Sequence, residues 1–199
     1  LGELAAWIAC DSDAFLQHLL SCDPAVLLRS DVSGIEAQNK EALVAAILTK
    51  ARASQLFDST GVSRFFHTLN HPDIASQLRE VIRDKTANHV ARRIAFDIAE
   101  SCEVAGLLND AIAILNDSSD NDIHYIAARS LDDLATPETV HQITALLPEE
   151  ETKRKHSKSV HFSILYALLK LNHWTLTQAL PHVPSAISEN SVDSSHLFA

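Results

Sequence analysis

The stretch "DIHYIAARSLDDLATPE", residues 122–138, decides the fold. It gathers His124, Tyr125, Arg129, Asp132 and Asp133 among isoleucines, alanines and leucines at helical spacing. Either the polar residues form an active site, or the apolar ones define a structural unit that the polar ones decorate. Two other stretches repeat it: "VARRIAFDIAE" from Val90 and "VHFSILYALLKLN" from Val160, 33 residues before Ile123 and 37 after it. In that alignment His124 meets His161, Tyr125 meets Phe162, and Ala95 meets Ala128. Ile98, Leu131 and Leu168 coincide, as do Leu134 and Leu171. "AIAILND" at 111–117 echoes "ITALLPE" at 143–149. A catalytic cluster normally occurs once, so recurrence favours structure. Self-similarity at this period is the signature of stacked helix pairs, each too small to bury its apolar face alone.

The rest of the chain extends the pattern. Leu4, Trp7 and Ile8, then Phe15, Leu16, Leu19 and Leu20, fall at three- and four-residue spacing and predict two helices, each with one buried face. Asp11 or Ser12 can cap the second, and Asp23-Pro24 starts a short third. Gly34 ends this block. A helix follows over 36–54, with Ala42, Leu43, Ala46, Ile47 and the stem of Lys50 on its inner face. Breaks at Gly61 and at Asn70-His71-Pro72 lead into helices at about 73–83, 88–101, 104–116, 121–135, 137–147, 157–172 and 174–181. Linkers this short predict antiparallel neighbours. The expected fold is all-α: one domain over 1–183, an α-solenoid of five or six HEAT-like antiparallel helix pairs. Residues 1–69 are assigned by helix pattern only, and 70–183 show the clearer repeats. Residues 184–199 are Ser-rich and read as a tail.

The repeat in 123–140 resembles a HEAT repeat, on Ile123, Ala127, Ala128, Ser130, Leu131, Leu134 and the turn "TPETV". HEAT units usually place an Arg where His124 stands, and an Asp-Pro-Glu turn where Thr136-Pro137-Glu138 stands; the other copies are more degenerate. The first block, through Trp7, Asp23, Pro24, Val26, Leu27, Leu28, Arg29, Ser30 and Asp31, resembles the C-terminal helical region of bacterial NACHT-type STAND NTPases. That resemblance covers about 30 residues and no catalytic motif. It implies a sensor segment of a larger protein in antiviral defence or signalling. A chain that opens at Leu1 and contains no Met fits a piece of a longer protein.

Composition narrows the partners. With 46% hydrophobic residues, 4 Gly and 6 Pro among 199, this is a folded, helix-friendly chain. A net charge of −10 repels phosphate backbones, so no nucleic acid is expected. No apolar run reaches membrane-spanning length. Three cysteines, Cys10, Cys22 and Cys102, read as buried thiols in the reducing cytoplasm. The expected partner is a protein or peptide on a solenoid surface, or another part of the parent chain.

The chemical motifs are weak. Gly2, Gly34, Gly61 and Gly106 supply no phosphate-binding loop. His18 with Cys22 and His67 with His71 have helical spacing but lack the paired Cys/His pattern of a zinc site. "GVSRF" only begins like a nucleophile elbow. No catalytic, cofactor-binding or metal-ligating residue is assigned. Arg129 with Asp133, and Arg93 with Asp97, are four apart and predict ion pairs along each helix, worth about 0.2–0.5 kcal/mol each. His124 and His161 read as packing or inter-repeat hydrogen-bonding groups. Lys153, Arg154, Lys155, His156 and Lys158 form the one basic run and the first candidate for an interaction patch. The alternatives are a HEAT-like enzyme, of DNA-base glycosylase or lyase type, and a pure assembly scaffold.

Overall fold

Residues 2–29, 32–55, 63–147 and 156–183 are described by the computed structural model, and every regular element among them is helical. The α-helices are α1 (Gly2–Asp11), α2 (Asp13–Cys22), α3 (Ala37–Arg52), α4 (Ile74–Arg83), α5 (His89–Ser101) and α6 (Leu108–Asn116). They continue with α7 (His124–Arg129), α8 (Leu131–Leu134), α9 (His141–Thr144), α10 (Lys158–Lys170) and α11 (Leu176–Ala179). Short 3₁₀ segments at Pro24–Arg29, Ser63–Leu69, Ala105–Leu107, Asn121–Ile123 and Leu180–His182 precede or extend them. The all-α expectation is met. No helix among the described residues is long and apolar enough to cross a membrane.

Helix starts follow side-chain chemistry. Ser12, Asn88 and Ser157 each accept a hydrogen bond from the backbone N–H three residues on, at Phe15, Ala91 and Val160. Each satisfies a donor the helix cannot satisfy itself. Helices α3, α5 and α10 end alike. Ser54, Glu103 and Asn172 lie two residues past their ends at φ of 55°, 53° and 53°. The next N–H in each case bonds back to the helix, from Gln55 to Lys50, Val104 to Ala99 and His173 to Leu168, which is the left-handed C-terminal cap.

Principal packing runs between elements near in sequence. α1 lies against α2 and Pro24–Arg29, and α3 packs on that segment, on α4 and on α5. α4 packs on α5 and α6, α6 on α7 and α8, and α10 on α7, α8, α9 and α11.

Burial sets the register of the repeat. Along 123–131 and along 160–168 the order is the same: two buried, one exposed, one half-buried, two buried, one exposed, two buried. Residues 91–99 of α5 follow it with small deviations, and Leu43–Ala51 of α3 nearly so. The match of Ile123 to Val160 stands. The first interval, however, is 32 residues rather than 33: Ala91, not Val90, occupies the position of Ile123. The difference lies in the loop before the helix. Three residues lie between Asp84 and Asn88, and two between Asp117 and Asp120.

Several local expectations shift. The 137–147 helix shrinks to α9 flanked by turns, and 121–135 is interrupted at Ser130. α3 buries Leu43, Val44, Ile47, Leu48 and Ala51, a face rotated from the expected one. In α1, Leu4, Trp7 and Ile8 are not the inner face. They are 54%, 67% and 41% exposed, and Ala9 is buried instead.

Candidate interaction face

With the 32- and 37-residue intervals, Arg92, His124 and His161 are equivalent, and all three are buried polar side chains. Each donates a ring or guanidinium N–H to a backbone carbonyl: Arg92 Nε to Ile82 at 2.9 Å, His124 Nε2 to Asp117 at 3.0 Å, and His161 Nε2 to His182 at 2.7 Å. A carbonyl only accepts, so both histidines carry the proton on Nε2. Arg92 also forms a two-pronged pair with Asp120, 2.6 Å at each contact. The histidines hold the helices in place, in line with the expected packing and hydrogen-bonding role.

The charges that looked like intrahelical pairs join different units. Arg129 pairs with Asp97 and Glu100 of α5, and Lys170 of α10 with Asp132 and Asp133 of α8. Arg129 therefore reaches back one unit rather than along its own helix to Asp133, because the neighbouring helix offers two carboxylates. Arg79 and Arg83 of α4 converge on the buried Asp110 of α6. Arg52 pairs with Asp84, and Lys85 with Asp117. Glu100 accepts a hydrogen bond from Ser130 Oγ. Burial pushes its carboxyl above the ordinary value, against the pull of Ser130 and Arg129. Sequence reasoning missed Arg92, Asp110 and Asp120. Their signal was opposite charge at a spacing near one repeat.

Side-by-side pairing of Asp97 with Arg129, and of Asp133 with Lys170, shows that equivalent outward positions are lateral neighbours. One helical turn earlier the outward positions are Arg93, Tyr125 and Phe162. Tyr125 and Phe162 are both 48% exposed, and Tyr166, one turn beyond Phe162, is 60% exposed. Arg93 makes no ion pair among the described residues, and its Nε is buried without a hydrogen-bond partner. The face thus carries a row of one cation and two aromatic rings, flanked by a ladder in which the cations are neutralised. Such a surface suits a partner that brings apolar groups and a carboxylate.

A second feature is an open cleft of about 530 Å³, lined by Asn70, His71, Pro72, Ile74 and Ala75 before and within α4, and by Cys102, Glu103 and Val104 after α5. Cys102 donates its S–H to the Phe66 carbonyl at 3.2 Å. Burial pushes its thiol up to about 11, so it is a poor nucleophile at neutral pH. His71 Nε2 donates to Gln77 Oε1 at 3.1 Å, and Gln77 in turn donates to the Glu41 carbonyl.

Of the basic run, Lys153, Arg154 and Lys155 lie outside the described residues, as does the 184–199 tail. His156 is half-buried, its ring edge against His124 at 5.7 Å between centroids. Lys158 is exposed in the first turn of α10, where the helix dipole disfavours a cation. Cys22 is exposed, contrary to the expected burial, and Cys102 is buried. Among the described residues no three His, Cys, Asp or Glu side chains gather as a metal site. No protein-family model, curated protein or solved structure matches the chain.

Proposed function

We propose that the chain is an α-solenoid of HEAT-like antiparallel helix pairs that acts as a non-catalytic interaction or ligand-sensing module. Its partner is a protein or peptide docking across Arg93, Tyr125, Phe162 and Tyr166. The observation that carries this is the outward row itself: equivalent positions on α5, α7 and α10 hold a half-buried arginine with no ion pair among the described residues and two half-exposed aromatic rings. The repeated burial order of α5, α7–α8 and α10 supports the solenoid. Commitment of His124, His161 and Arg129 to structural bonds, and the raised Cys102 thiol, support a non-catalytic role. The resemblance of the first block makes the module a sensor of a bacterial STAND NTPase in antiviral defence or signalling, with any NTPase in another part of the parent.

Two experiments test it. A parent sequence with a phosphate-binding loop upstream supports the sensor assignment, and a parent without one removes it. Capture of a binding protein by the wild-type chain is compared with capture by the Tyr125→Ser, Phe162→Ser, Tyr166→Ser variant. Loss of capture at an unchanged melting temperature is expected; equal capture rejects the face.

A further inference from the structure

Arg93 stands apart from the other arginines of its helix layer. Arg52, Arg92 and Arg129 each meet a carboxylate. Arg93 meets none among the described residues, and its Nε–H is buried without an acceptor. A buried donor without an acceptor is costly, and an ionised acceptor offsets that cost best. The carboxylates nearest in register do not serve. Asp97, one turn on, is taken by Arg129. Glu41 of α3 and Asp122 just before α7 are exposed, and neither forms an ion pair with Arg93. One turn before the row, the equivalent positions are His89, Asn121 and Lys158, all exposed and none anionic. The α5 end of the row is therefore where an incoming negative charge is accommodated. A phosphate dianion fits it poorly: Asp97 and Glu100 share the helix, and the equivalent positions on either side, Ala45 and Tyr125, hold no second cation.

The row also sets a spacing. α5 packs between α3 and α7, and α7 packs on α10, so Arg93, Tyr125 and Phe162 stand on successive helices of one layer. Neighbouring packed helices lie about 8–10 Å apart. A peptide in the polyproline II conformation returns the same face every three residues, about 9.3 Å further on. A fully extended strand returns it every two residues, about 6.6 Å further on, and falls out of step within one helix. We propose that the partner is an acidic–apolar peptide lying across the layer in a polyproline II conformation. Its Asp or Glu carboxylate pairs with Arg93, and apolar side chains three and six residues away rest on Tyr125 and Phe162. This rests on the docking face proposed above and specifies what that face reads.

Selection from a random peptide library on the immobilised full chain tests it, with peptides about sixteen residues long so that a polyproline or a helical period can emerge. Peptides enriched on the wild type are expected to carry Asp or Glu with apolar residues three and six positions away. On Arg93→Glu, Lys or Arg is expected at the acidic position instead. In fluorescence anisotropy, an enriched peptide whose carboxylate is replaced by the amide should bind the wild type at least about tenfold more weakly. Arg93→Met should bind the two versions equally. An apolar consensus without an acid, or an acidic preference unchanged on Arg93→Glu, overturns the proposal and leaves the docking face standing. A two- or seven-residue interval does the same. Failure of the docking face reads differently: no peptide is enriched, or enrichment survives Tyr125→Ser with Phe162→Ser, and this proposal falls with it. Circular dichroism melts confirm folding, and Arg93→Gln, expected to lose the acidic preference without inverting it, replaces Arg93→Glu if that variant unfolds.

Discussion

Asp84 and Asp117 end α4 and α6 in the same way. Each accepts hydrogen bonds on one oxygen from the backbone N–H and hydroxyl two residues on, at Thr86 and Ser119, while its other oxygen meets a cation, Arg52 or Lys85. These hydrogen bonds, more than the charges, lower both carboxyls: Asp84 to about 2, by its Thr86 hydroxyl first, and Asp117 further, by its Lys85 hydrogen bond first. The folded state therefore binds these protons more weakly than the unfolded chain, where an aspartate sits at about 3.9. Their stabilisation is complete above about pH 5 and fades as the pH falls through about 4 towards 2. The Asp84→Asn, Asp117→Asn variant should melt below the wild type at pH 7, and the gap should close by pH 2.

Glu100 has the opposite sign. Its carboxyl is raised by burial, so its contribution is greatest below the unfolded value of about 4.3 and is lost as the pH rises through the folded one. Gln in its place keeps an acceptor for Ser130 and Arg129 without the buried charge. Glu100→Gln should raise the melting temperature at pH 7 and lose that advantage at pH 3.5.

Asp120 neutralises a guanidinium that is almost wholly enclosed, with side-chain exposures of 5% for Arg92 and 10% for Asp120. Asp120→Ala leaves that charge buried and unpaired, a loss of about 3–5 kcal/mol. Removing both charges, as Arg92→Met with Asp120→Leu, should recover most of the loss in urea unfolding.

Ser54 and Glu103 hold left-handed backbone that disfavours a Cβ. Ser54→Gly and Glu103→Gly should each stabilise by about 0.5–1 kcal/mol, since relief of that strain outweighs the added freedom of the unfolded chain. Raised denaturation midpoints in urea at an unchanged slope would show it.

The sequence made the helices legible wherever apolar periodicity was strong, as in α5 and α10, because burial alone sets that pattern. It misplaced the register by one residue, because the alignment was anchored on Val90, and the loop between Asp84 and Asn88 is one residue longer than its successor. Pairing of Arg129 with Asp97 was invisible for a different reason. Spacing within a helix is local, whereas the choice of partner depends on which neighbouring helix lies alongside. Leu4, Trp7 and Ile8 show the same limit: amphipathic spacing marks an apolar stripe, not what covers it. The outward row of Tyr125 and Phe162 was present in the alignment as a recurrence, but its exposure came only from the packing of α7 and α10.

The pairs of Arg79 with Asp110 and of Arg92 with Asp120 overlap along the chain, from residue 79 to residue 120. Any cut made in that span severs a contact in which at least one charge is shielded from water. Lys170 extends the same bond between distant segments from Asp132 to the last long helix. A version that begins or ends between residues 79 and 120 would carry a stranded ion away from water, so that span is best kept whole.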